Sequence, residues 1–232
     1  RSTLFPYTTL FRSRDAFKAD YTVSSTSASY DINVLYRNFG FSPSMRSLSR
    51  SDYSNSDWTA MLMNQIDAKL PVLYSGSGKN NEGHAFVIDG YQNSRFFHIN
   101  WGWGGKDNGN FSLDNLVPNS TYTFNDNQWA IVDMKPASKT DRIKLSFKYD
   151  GIWSSTQEFK KGVSFSLGIC IGNDNMVIFS GDIMLAVTDR NGSIKQVLKE
   201  YPNSDSWGLY TYEKSLTINE EIKVGGRIRA FY

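Results

Sequence analysis

A chain of 232 residues with a formal net charge of +2 and both signs interspersed offers neither a basic stripe for nucleic acid nor a long acidic tract. Aromatic residues make up 15%, enough bulky material for real cores; this excludes a disordered tail and leaves room for one large or two modest domains. A single cysteine, Cys170, excludes an intramolecular disulfide, and no apolar run reaches the length of a membrane span.

Residues 3–13 read like the in-frame translation of a sequencing-adapter oligonucleotide, so residues 1–13 are set aside as a non-native segment. Ile32, Leu35, Tyr36 and Phe39 at helical spacing predict a helix over 27–39, capped by Ser27 or Ser29 and stopped by Gly40. Trp58, Met61, Leu62, Gln65, Ile66 and Leu70 mark one stripe of a second helix over 58–70, with Ser56 or Asp57 as cap and Pro71 as terminator. Strands are expected at 72–75, 84–91, 96–101, 110–113 and 128–134, so helices precede a run of antiparallel strands, an α+β arrangement. Gly76, Ser77 and Gly78 lack the following Lys-Ser/Thr of a phosphate loop and read as a flexible connection between strands.

Residues 135–140 have linker composition, and beyond them the helical pattern stops. Strand-like runs at 143–149, 163–171, 176–188, 193–198, 207–212 and 228–232 are separated by turn chemistry, notably at 172–175 and 189–192. This spacing predicts an all-β sandwich domain over 141–232, after an α+β domain over 14–135.

The chemistry is concentrated in two aromatic blocks. Gly83-His84-Ala85-Phe86-Val87-Ile88-Asp89-Gly90-Tyr91 is followed, after a short polar turn, by Phe96-Phe97-His98-Ile99-Asn100-Trp101-Gly102-Trp103-Gly104-Gly105. Alternation places His84, Phe86 and Ile88 on one face of the first strand; in the second, His98 and Asn100 share one face and Phe97, Ile99 and Trp101 the other. A histidine opening one strand and an asparagine closing the next is how Cys-His-Asn hydrolases hold an imidazole beside a thiolate. The expectation is that Asn100 accepts a hydrogen bond from the His84 ring and that Trp101 shields that bond from water. No cysteine precedes His84, and Cys170 reads as a small buried hydrophobe of the second domain. His98 reads as a packing or hydrogen-bonding residue; a metal site would need further ligands, and only Asp89 is near in sequence, so no metal is assigned.

These two blocks resemble the streptopain family of secreted bacterial cysteine peptidases (family C10), whose fold is a variant of the papain one. The similarity runs from about residue 27 to residue 134, through Trp58, residues 71–76 and residues 109–114. The resemblance implies a catalytic role for His84, Asn100 and Trp101, and the strand-rich part of a papain-like fold ahead of the sandwich. It implies an extracellular endopeptidase fragment, secreted or at the cell surface, that acts on peptide or protein substrates and uses no cofactor. It also implies an N-terminal pro-segment inhibitor in the full-length protein and a nucleophilic cysteine missing from this chain. The competing reading is an inactive peptidase-like scaffold with a sandwich domain, serving binding or adhesion.

Overall fold

The computed structural model describes residues 16–21, 26–27, 31–78 and 82–232. The segment set aside at 1–13, and Ser29 as a candidate cap, lie outside the described residues. Two compact units follow one another, Arg1–Asp141 and Arg142–Tyr232. Among the described residues, no helix is long and apolar enough to cross a membrane.

In the first unit, β1 (Asp20–Tyr21) and β2 (Thr26–Ser27) pair briefly, so Ser27 belongs to a strand and not to a helix cap. Helix α1 (Ile32–Phe39) starts later than its apolar spacing suggests, because Asp31 is the cap and accepts a bond from the Asn33 N–H at 2.8 Å. Gly40, at φ 70°, ends it. Helix α2 (Asn55–Asp67) also differs at both ends from the stripe-based expectation. Ser54 is its cap, accepting from the Asp57 N–H at 3.1 Å, and the polar first turn carries no hydrophobic signal. Its end is set before Pro71 by a left-handed Lys69 (φ 60°) and by the Leu70 N–H returning to the Gln65 carbonyl at 2.9 Å.

The main sheet is antiparallel and six-stranded. It comprises β3 (Arg46–Ser49), β4 (Val72–Ser77), β5 (Gly83–Gln92), β6 (Phe96–Asn100), β7 (Gly109–Phe111) and β8 (Asp126–Val132), in the order β3-β8-β4-β5-β6-β7. Strand β3 has one buried residue, Leu48, among polar neighbours, which is why its sequence carries no strand signal. Trp58 and Leu62 of α2 join the same core as Tyr74, Phe86, Ile88, Phe97, Ile99 and Trp101 from the sheet. Burial of these aromatic and aliphatic side chains, each contributing about 1.5–3 kcal/mol, fixes the strand register. A buried chain of polar groups adds direction: the Trp58 indole N–H donates to the Tyr74 hydroxyl at 3.0 Å, and that hydroxyl donates to Gln128 Oε1 at 2.5 Å. Burial pushes the Tyr74 phenol far above its ordinary pKa, so it stays a neutral donor.

Gly76 and Ser77 are not a flexible loop. They extend β4 opposite His84 and Gly83. A Cβ on Gly76 would lie 2.3 Å from the Phe124 carbonyl oxygen, so only glycine lets that backbone cross the strand.

The second unit contains two three-stranded antiparallel sheets. One orders β13 (Gly208–Thr217), β10 (Ser164–Asn173) and β9 (Leu145–Trp153); the other orders β12 (Ile194–Ser206), β11 (Phe179–Thr188) and β14 (Arg227–Phe231). Phe165, Leu167, Ile169 and Ile171 of β10 and Ile183, Leu185 and Val187 of β11 are buried, and the middle of β10 and the end of β11 are buried on both faces, with Cys170, Ala186 and Thr188 between or beside them. Gln196 of β12 donates to the Thr217 carbonyl of β13 at 2.8 Å, and Tyr201 of β12 donates to Glu213 of β13 at 2.9 Å, linking one sheet to the other. The turn at 189–192 closes on Asp189, whose carboxylate accepts from the Asn191 and Ser193 N–H groups at 2.9 Å.

Candidate active site

His84 lies one residue inside β5, where the sheet's core face reaches the strand end. Its ring is half-buried among aromatic neighbours, with Trp103 at 4.8 Å, Phe124 at 5.2 Å, Phe86 at 6.1 Å and Trp101 at 6.2 Å between centroids. Trp103 stands in the glycine-punctuated block. Phe124 comes from forty residues further along the chain and reaches the ring through the glycine gap at Gly76.

The hydrogen bond that orients the ring differs from the expected one. His84 Nε2 lies 2.8 Å from the backbone carbonyl oxygen of Trp101. Asn100 does not meet the ring: its Oδ1 accepts from the Gly102 N–H at 3.0 Å. Register explains the correction. Asn100 pairs with Val87, and directly opposed residues point to the same face, so its side chain leaves on the Val87 side while His84 points with Phe86. Trp101, one residue on, turns to the core face and is fully buried.

The Trp101–Gly102 peptide is therefore engaged at both ends. Its carbonyl receives the His84 ring and its N–H is held by Asn100. Since a carbonyl oxygen can only accept, Nε2 carries the hydrogen, and in the neutral ring the basic lone pair sits on Nδ1. Burial lowers the His84 pKa below its ordinary value, and the bond to the Trp101 carbonyl opposes that shift. The neutral, basic ring is favoured near pH 7. The chain can turn back at this point because Gly102, Gly104 and Gly105 take φ of 81°, 65° and 89°, a region costly to side-chain-bearing residues. Asn108, which no spacing pattern singles out, accepts from the Trp101 N–H at 3.1 Å.

His98 is apart from this arrangement and pairs with Asp89, Nδ1 to Oδ1, at 2.5 Å. Cys170 belongs to the second unit, where it is buried in β10 between Ile169 and Ile171.

Residues 9–111, which include His84, Asn100, Trp101 and Asn108, match the Peptidase C10 family. Streptopain of Streptococcus pyogenes is 44% identical over 125 residues, covering 50% of this chain and 31% of that protein. Residues 9–111, the C10 region, are thus similar to the streptopain-like C10 peptidases. The thiol protease/hemagglutinin PrtT of Porphyromonas gingivalis is 36% identical to the chain over 121 residues, covering 50% of the chain and 14% of PrtT. Among solved structures, active wild-type interpain A of Prevotella intermedia, a cysteine protease, aligns at 26% identity with a TM-score of 0.47, over 53% of this chain and 52% of that one. The chain thus spans about a third of the length of streptopain. The C10 match begins at residue 9, inside the segment set aside on sequence grounds, and ends in β7.

Proposed function

We propose that the C10 region is the histidine-bearing part of an extracellular thiol endopeptidase, secreted or surface-bound, and that the nucleophilic cysteine belongs to a segment outside this sequence. The observation that carries the reading is His84, whose Nε2–H is fixed by the Trp101 carbonyl so that a basic Nδ1 remains for a thiol. The partial coverage of streptopain supports the placement of the cysteine elsewhere.

In the reaction, Nδ1 takes the thiol proton and the thiolate sulfur attacks the scissile carbonyl carbon. The tetrahedral adduct collapses, the C–N bond breaks and His84 returns its proton to the leaving amine. Water, activated by the same nitrogen, then hydrolyses the acyl-thioester. Asn100 serves by holding the Gly102 N–H, hence the peptide that orients the ring, and Trp101 walls the site with its indole. Peptides or proteins are the substrates, an N-terminal pro-segment is the inhibitor, and the second unit is read as a β-sandwich accessory domain.

The test is peptide hydrolysis. This chain alone should be inactive; joined in frame to the cysteine-bearing segment of its gene, and freed of any pro-segment, it should hydrolyse peptides. There His84→Ala should lower turnover roughly 10³-fold or more, and Cys170→Ser should change little. Full activity after His84→Ala would sink the proposal, and an inert joined protein would favour the binding scaffold instead.

A further inference from the structure

The carbonyl that orients His84 belongs to a residue the sheet does not hold. Strand β6 ends at Asn100, and the last pairs of this region are Val87 with Asn100 on one side and Ile99 with Gly109 on the other. Trp101 enters a loop whose next residue is left-handed at φ 81°, so the direction of its carbonyl must be set by something other than a ladder. Two side chains supply this. Asn100 binds the N–H that follows the carbonyl, at 3.0 Å, and Asn108 binds the N–H that precedes it, at 3.1 Å.

We propose that Asn108 is a positioning residue for His84: its carboxamide oxygen fixes the Trp101 backbone so that the Trp101 carbonyl receives the imidazole N–H. The catalytic consequence rests on the thiol-peptidase reading above. Asn108 is suited to the task by place as well as by chemistry. It stands at the far end of the 101–108 loop, immediately before β7, where the Ile99–Gly109 pair anchors it to the sheet. Its own N–H closes a turn on the Gly105 carbonyl at 3.5 Å, and the Lys106 N–H closes another on Trp103 at 3.2 Å. The glycine-rich loop is thereby folded back so that one short amide can reach across its neck. Only the side-chain oxygen can accept from a backbone N–H, so an aspartate would make the same contact and an alanine would not.

The chain has two histidines, and this makes the proposal directly readable. With ¹⁵N-labelled histidine, the exchange of each ring N–H with water can be followed separately. His98, held by Asp89 at 2.5 Å and apart from the loop, serves as the internal reference. In Asn108→Ala the His84 Nε2–H should exchange roughly ten-fold faster, the scale expected when one hydrogen-bonded anchor is lost. His98 should be unchanged, and Asn108→Asp should keep the parental His84 rate. An unchanged His84 rate in Asn108→Ala would overturn the proposal. So would a common acceleration of both histidines, including loss of the fold, because Asn108 would then support the unit as a whole and not the ring. The measurement needs no nucleophile, so an inactive joined enzyme with a protected His84 ring would count against the peptidase reading alone.

Discussion

A histidine ring set 4.8 Å from Trp103 and 5.2 Å from Phe124 loses part of the hydration its charged form requires. For His84 that loss outweighs the bond to the Trp101 carbonyl, and its pKa is lowered. The folded state then binds fewer protons at this site than the unfolded chain, whose histidine titrates near ~6.5. The resulting stability is present above pH ~6.5 and is lost as pH falls through the lower folded value. Urea midpoints measured between neutral and mildly acid pH should therefore fall on acidification, and the fall should be shallower in His84→Gln. Parallel curves for the two proteins would show that the ring is not desolvated. The place of His84 was legible from its motif, but its partner was not. Alternation already put His84 with Phe86 and Asn100 with His98; the pairing of Asn100 with Val87 was needed to show that these are opposite faces.

At the level of elements, the site is a consequence of how β4 and β5 meet. Gly76 stands opposite His84, and the absence of its side chain admits the Phe124 backbone, whose N–H donates to the Leu116 carbonyl in the β7–β8 connection at 2.9 Å. Gly76→Ala would place a carbon 2.3 Å from a backbone oxygen, so the 122–124 segment must shift. The expected cost is about 1–3 kcal/mol, read as a lower urea midpoint, with a changed His84 ring signal because Phe124 moves with the backbone. A neutral substitution would mean that this segment yields freely. The two strands carrying the motif were readable because each buries one face, Phe86 and Ile88 in β5, Phe97 and Ile99 in β6. Polar starts and edges were not: Asn55, Ser56 and Asp57 open α2 without an apolar residue, and β3 buries only Leu48. The strand role of Gly76 and Ser77 was hidden because it depends on Phe124, far away in sequence.

Across the whole molecule, the question is where one unit gives way to the next. The sequence change at 135–140 suggests a linker, yet part of that segment is held by the first unit. Ser42 donates to the Lys135 carbonyl at 2.9 Å, Ala137 donates to the Gly40 carbonyl at 2.8 Å, and Pro136 bridges Phe41. Ser138 and Asp141 close a short turn on each other, the Ser138 N–H reaching Asp141 Oδ2 at 3.1 Å. These bonds help hold the Asp141 carboxyl below the usual carboxylate range, with Ser42 the largest contributor. Residues 138–140 and Arg142 are exposed and lie beyond the backbone pairing that holds 135–137 to residues 40–42, so brief proteolysis should cut there in preference to 135–137. The product should be a resistant, strand-only fragment of about 90 residues beginning near Arg142, since Arg142–Tyr232 contains both sheets and their buried faces. Mass spectrometry of the fragment gives the cut site, and circular dichroism its β content. First cleavage inside β9–β14, or a second unit digested as fast as it is released, would show that its core does not stand without the C10 region.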